Sequence, residues 1–143
     1  MKLQLDFTLF AILLLVIPAG ADDHYYQTDF TKEEFIARRA RVFEKIGKDA
    51  IAVIQGAKGT GDFNVFRQSN EFYYLTGIES PHAYLVLDGR NQRTSIYLPH
   101  RDAGRESNEG KLLSAEDGDL ITELTGIDQV RGIEQLSQDL AGK

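Results

Sequence analysis

The sequence predicts an α/β fold, a mixed β-sheet flanked by helices. Three observations carry this prediction. Short apolar runs rich in β-branched residues, AIAVI, AYLVLD and TSIYLP, alternate with stretches of helical periodicity. Turn residues punctuate the boundaries between them. With 143 residues, 42% hydrophobic and 27% charged, the chain has the size and composition of one packed domain.

The elements follow in order. Residues 1–21 are expected to be a signal peptide. Lys2 is followed by an apolar stretch whose most hydrophobic part, residues 9–17, is too short to span a bilayer. Pro18 breaks it, and Ala19-Gly20-Ala21 supplies small residues for cleavage after Ala21. The mature domain is then residues 22–143, secreted or periplasmic, without a membrane span once the signal is removed. Thr31-Lys32-Glu33-Glu34 has the capping-box pattern of a helix start. Phe35, Ile36, Val42, Phe43 and Ile46 give the apolar face of that helix, and Gly47 is its expected left-handed cap. Arg38, Arg39 and Arg41 are expected on the solvated side. AIAVI, residues 50–54, reads as a strand buried on both faces. FYYL, residues 72–75, reads as a short helical turn ended by Thr76-Gly77. AYLVLD (83–88) and TSIYLP (94–99) form a hairpin across GRNQR, in which Gly89 and Asn91 can take turn conformations. Ser114 opens a second helix to about Leu124, capped by Gly126. A strand near residues 129–131 and a helix over 133–140 complete the chain.

Composition removes several function classes. A net charge of −6 argues against nucleic-acid binding. The absence of cysteine excludes disulfides, thiolate metal sites and cysteine nucleophiles. Three histidines, His24, His82 and His100, are too few for a histidine-rich metal centre. GAKGTG at 56–61 is not a phosphate loop, since Asp62 stands where the motif needs Lys and then Ser or Thr. His100-Arg101-Asp102 matches the letters of a kinase catalytic loop, but Ser107 occupies the required asparagine position. Asp102 and Glu106, beside Arg101 and Arg105 in an expected polar loop, are better read as an ion-pair network than as an acid–base pair. His82, after Pro81 in a turn, is expected to face solvent.

One stretch is distinctive: FRQSNEFYYLTG, Phe66 to Gly77, followed by Ile78-Glu79-Ser80-Pro81 and AYLVLD. With Arg38-Arg39 upstream, Leu98-Pro99-His100-Arg101-Asp102 and Glu106 downstream, and Gly126, Val130, Ile133 and Leu136 near the end, it resembles the N-terminal domain of aminopeptidase P. That domain belongs to the family of Xaa-Pro aminopeptidases, prolidases and creatinases. Many aminopeptidase P proteins carry a tryptophan soon after the arginine–aspartate…glutamate segment, ahead of a glycine; Ser107-Asn108-Glu109-Gly110 stands here instead.

The resemblance implies the creatinase/aminopeptidase P N-terminal fold and no catalytic residue in this chain. It places a dinuclear manganese site, held by two Asp, one His and two Glu, in a C-terminal pita-bread domain whose ligands cannot be mapped onto this sequence. It also implies packing on that catalytic domain or self-association, with proline-containing peptides as family substrates. By the same resemblance Phe66, Arg67, Tyr74, Arg101 and Asp102 are the substrate-entrance or interdomain candidates. Arg67 can hold a carboxylate in a forked contact, or it can cap a local helix or pair with Glu71. A free-standing secreted module that binds peptides or a partner protein is the alternative.

Overall fold

The computed structural model describes residues 25–59 and 66–142. The expected signal peptide therefore lies outside the described residues. Among them no helix is long and apolar enough to cross a membrane.

Helix α1 (Lys32–Ile46) starts where the sequence places it: the Thr31 hydroxyl accepts from the Glu34 amide. The Glu34 carboxylate turns instead to Arg38, at 3.0 Å. Strand β1 (Ile51–Gln55) leads to α2 (Asn70–Thr76), which Gly77 ends in the left-handed conformation. The hairpin is β2 (Tyr84–Asp88) and β3 (Arg93–Leu98). A helix α3 (Ala103–Glu109) follows, then a 3₁₀ turn (Ala115–Asp117) running into α4 (Gly118–Thr125), with Gly126 as its left-handed cap. Strand β4 (Gln129–Gly132), a second 3₁₀ turn (Ile133–Gln135) and α5 (Leu136–Ala141) complete the order.

The sheet order is β1-β2-β3-β4, antiparallel across the first three strands and parallel between β3 and β4. This is the mixed sheet expected from the alternating pattern. Strand pleating sorts the side chains. Leu85, Leu87, Ile96 and Leu98 point to the face covered by α1, α2 and α4, where Phe72, Leu75 and Ile121 meet them in the core. On the opposite face Tyr97 donates its hydroxyl hydrogen to Asp139 of α5 at 2.8 Å.

Four expectations need correction. Strand β1 lies at the sheet edge and is not buried on both faces; Val53 is 44% exposed. Its unbroken apolar run arises because Ala52 and Ile54 serve the core while Ile51 and Val53 face the other way. The segment after β3 is not a loop but helix α3, which has no apolar stripe to betray it. Ile36, assigned to the apolar face of α1, is 45% exposed.

The fourth correction concerns the arginines. Arg38 and Arg39 are 7% and 2% exposed, and of the three only Arg41 stays solvated. Arg39 donates to the carbonyls of Leu75 (3.0 Å) and Thr125 (2.6 Å), and Arg38 to that of Tyr74 (3.0 Å). These are orphan carbonyls at the C-terminal ends of α2 and α4, which no helical N–H can satisfy. A guanidinium, with several donors in a fixed fork, reaches two of them at once.

In the hairpin the left-handed residue is Gln92 (φ 53°), not Gly89 or Asn91. Gly89 serves a different need. A Cβ there would lie 2.0 Å from the Gly47 carbonyl oxygen and 2.7 Å from that of Ala50. The end of α1 thus rests directly on the backbone of the turn.

Candidate functional site

Strands β1 and β3 run in one direction, β4 with them, and β2 against them. The carboxyl ends of β1, β3 and β4 and the start of β2 therefore meet at one end of the sheet. Ligand crevices of open α/β sheets form outside carboxyl strand ends, where connecting loops leave room. Here Gly56–Gly59, Ser80–His82 and Pro99–Asp102 converge at that end.

The segment carrying FRQSNEFYYLTG is fixed there by Gln68, which is buried. Its Oε1 accepts from the Ala57 amide at 2.5 Å and its Nε2 donates to the Ser80 carbonyl at 2.8 Å. The Ser80 hydroxyl donates in turn to the Leu113 carbonyl at 2.5 Å. One glutamine thus links the chain beyond β1 to the loop before β2. Sequence reading concentrated on the aromatics and missed it, since a lone buried glutamine leaves no periodic signal. Of the four aromatics only Phe72 is fully buried; Phe66 and Tyr73 are half-buried and Tyr74 is 46% exposed.

A cavity of about 180 Å³ opens at this end, walled by Pro81, Pro99, Leu112 and Leu113 and rimmed by His82, His100, Arg101, Asp102, Arg105 and Glu106. Helix α3 and its cap build one side of the rim. Asp102 accepts from the amides of Gly104 (3.0 Å) and Arg105 (3.1 Å), the role of an N-cap. Its carboxylate is thereby committed to the backbone. Arg101 pairs with Asp117 and lies 3.9 Å from Glu106. The ion-pair reading holds for Arg101 with Glu106 but not for Asp102, which caps α3; the stronger partner of Arg101 is Asp117, further along the chain.

His82 is exposed, as expected of a turn histidine. It takes a left-handed backbone (φ 59°), and its Nε2 accepts from the Gly59 amide at 3.3 Å. His100 is different. Its Nδ1 lies 2.6 Å from Glu116 and its Nε2 3.2 Å from Glu134. The two carboxylates, Glu116 first, raise the proton affinity of His100 above the ordinary histidine value. The His100 contact, with the Arg101 amide, holds the Glu116 carboxyl down at about 2. Sequence reading missed this cluster, because Glu116 and Glu134 lie 16 and 34 positions away.

The five candidates do not form one site. Arg101 and Asp102 stand on the cavity rim. Phe66 and Arg67 precede Gln68, and so sit beside that end of the sheet; Arg67 is exposed and makes no ion pair with Glu71. Tyr74 lies apart, on the outer side of α2. There the Arg38 guanidinium is packed between the rings of Tyr74 (4.4 Å) and Phe30 (4.2 Å). Such cation–π contact explains how two rings so exposed are held in one arrangement.

Among the described residues no three His, Asp or Glu side chains converge as a metal site. The nearest approach to one, His100 with Glu116 and Glu134, has both ring nitrogens turned onto the carboxylates, leaving no shared point for a cation. The described residues do not fit a dinuclear metal centre.

Residues 35–143 match the family model described as "Aminopeptidase P, N-terminal domain". The chain is 33% identical over 97 residues to the Xaa-Pro aminopeptidase of Haemophilus influenzae, covering 64% of this chain and 23% of that protein. It is 29% identical over 124 residues to Xaa-Pro aminopeptidase 3 of Mus musculus, covering 71% and 23%. Among solved structures, aminopeptidase P from Escherichia coli with the inhibitor Pro-Leu superposes with a TM-score of 0.67 at 26% identity, over 79% of this chain and 27% of that one. A putative aminopeptidase P from Bacillus anthracis shares the fold, with a TM-score of 0.66 at 20% identity, over 79% and 28%. The chain thus spans about a quarter of the length of these relatives. On the matched residues and the shared fold, it belongs to the family of aminopeptidase P N-terminal domains.

Proposed function

We propose that the chain works as the non-catalytic N-terminal domain of an exported Xaa-Pro aminopeptidase-like metallopeptidase. The whole protein removes an N-terminal residue that precedes proline. The observation that carries this reading is the family match over residues 35–143, together with relatives named Xaa-Pro aminopeptidases. Export rests on the signal-peptide pattern of residues 1–21.

In this reading the division of labour follows from the chemistry available. At the sheet end His100 is tied to Glu116 and Glu134, Arg101 to Asp117 and Glu106, and Asp102 to backbone amides, so these groups shape the surface and do not react. The manganese pair belongs to a catalytic domain, where it supplies an activated water. The role of this chain is to present Phe66, Arg67 and the α3 rim as one wall of the substrate entrance, and to associate with that domain or with a second copy.

The test is peptidase assay of the purified chain on an Xaa-Pro peptide with and without manganese. No release of the N-terminal residue is expected in either case; manganese-stimulated cleavage would overturn the non-catalytic assignment. Light scattering checks association, with a dimer or a complex with a separately purified relative's catalytic domain expected. A strictly monomeric chain that also ignores the catalytic domain would overturn the docking role.

A further inference from the structure

His100 stands at the end of β3, yet its two ring nitrogens reach carboxylates on two other elements. Glu116 belongs to the 3₁₀ turn ahead of α4, and Glu134 to the 3₁₀ turn ahead of α5. A neutral imidazole has one N–H donor and one lone pair. In neutral form it satisfies one carboxylate and sets its lone pair against the other. Only the imidazolium donates to both. Both contacts are therefore satisfied together only in the charged ring.

What this contact holds is lightly held otherwise. Neither the turn Ile133–Gln135 nor α5 buries a residue fully. Their other side-chain ties are Asp139 to Tyr97 and Arg131, and Gln135 to Arg131. Segments with so little buried apolar surface open at low cost.

We propose that His100 is a proton-operated clasp, closing Glu116 and Glu134 onto the end of β3 and thereby holding the turn Ile133–Gln135 and the start of α5 in place. The surrounding charges favour the closed form. The 3₁₀ turn and α4 present Glu116, Asp117 and Asp119; the second turn presents Glu134; β4 and its approach present Arg131 and Asp128. From the α3 side come Arg101, Asp102, Arg105 and Glu106, with His82 across the cavity. Arg101 is drawn off by Asp117 and Glu106, and Arg131 by Asp139. The carboxylates thus outnumber the cations around the ring. The two contacting glutamates raise its proton affinity, so the clasp is closed through and above the pH at which an ordinary histidine loses its proton. It opens as pH rises further. Because His100 borders both the cavity and the groove beside β4, opening changes the surface at this end of the sheet.

The test is carried out on the full 143-residue chain. Long-range ¹H–¹⁵N correlation of the three histidine rings is followed from about pH 5 to 9, spanning the histidine range, alongside amide hydrogen exchange of residues 133–138. Both His100 nitrogens should remain protonated at pH 6.5 and should titrate at higher pH. Exchange of 133–138, corrected for its intrinsic pH dependence, should rise about threefold through the same midpoint, the scale of an exposed ion pair. In Glu134→Gln that exchange should be fast at every pH and should not follow the ring. A neutral His100 tautomer at pH 6.5 overturns the proposal. So does a ring that titrates in the wild-type chain while exchange of 133–138 stays level, a result that needs no variant to fold.

Discussion

The buried arginine of α1 gives the sharpest test of how the helices are held. In Arg39→Met the side chain keeps most of its bulk but loses the guanidinium. The carbonyls of Leu75 and Thr125, both on buried residues, then lose the donor that now stands 3.0 and 2.6 Å away. An unsatisfied buried carbonyl costs about 1–3 kcal/mol, so two cost about 2–6 kcal/mol. Against this, the variant no longer desolvates a charge; burial is strong enough to pull the Arg39 pKa down to about 10. Replacing a buried charge by an apolar group recovers part of such a penalty. The net loss expected is therefore about 2–4 kcal/mol, a large fraction of the stability of an ordinary domain. Urea unfolding at pH 7, followed by far-UV circular dichroism because the chain has no tryptophan, measures it. Arg41→Met, on the exposed flank of the same helix, should change stability by less than about 0.5 kcal/mol. If Arg39→Met costs under about 1 kcal/mol, or no more than Arg41→Met, the guanidinium does not tether α2 and α4 and the reasoning fails.

Three further outcomes follow. Phe72→Ala should cost about 3–5 kcal/mol in the same assay, as a fully buried ring does, whereas Tyr74→Ala should cost less than about 1.5 kcal/mol, the most expected from its contact with Arg38; equal losses would contradict the division of the aromatic motif into core and surface. Gly89→Ala, whose new methyl meets the Gly47 carbonyl oxygen, should lower stability by more than about 2 kcal/mol, and an unchanged Tm would show that the helix end is not seated on the turn. Burial and the Asp139 contact push the Tyr97 hydroxyl up to about 12, so ultraviolet titration should show this phenol ionising last, after Tyr26 and Tyr73, which burial also raises. The sign of the linkage follows: the protonated phenol stabilises the fold fully below the ordinary value of 10, and that stabilisation is lost as pH rises through about 12. Tyr97→Phe should remove both the late ionisation and the alkaline loss.

The order of elements was legible because local chemistry decides it. Thr31 before Glu34, Gly77 and Gly126 after apolar turns, and the hairpin strands around Gly89–Gln92 all act within a few residues. What escaped was set by distance in the chain. Arg39 stands four residues after Phe35 and three before Val42, on the core stripe of α1, but its charge and that of Arg38 read as solvated, and only carbonyls 36 and 86 positions away make burial tolerable. Helix α3 escaped for the opposite reason: it buries no apolar stripe, and its cap, Asp102, looked equally at home in a loop. At the candidate site, Arg101 and Asp102 were found through the family pattern and do meet on one rim. Tyr74 was grouped with them by adjacency to the motif, but a short helix turned it onto another surface. The His100 cluster needed three segments to fold before it existed.

The reach of Arg39 also bears on how the chain assembles as it is made. Helix α1 precedes α4 in the chain, and the Thr125 carbonyl is synthesised 86 residues after Arg39. Until α4 has formed, burying Arg39 would leave a charge half-satisfied in a dry interface, which is costly. Full satisfaction of the Arg39 guanidinium therefore waits on the Thr125 carbonyl at the end of α4. A contact of such long sequence separation slows folding. In exchange it joins the two ends of the domain in one cooperative unit.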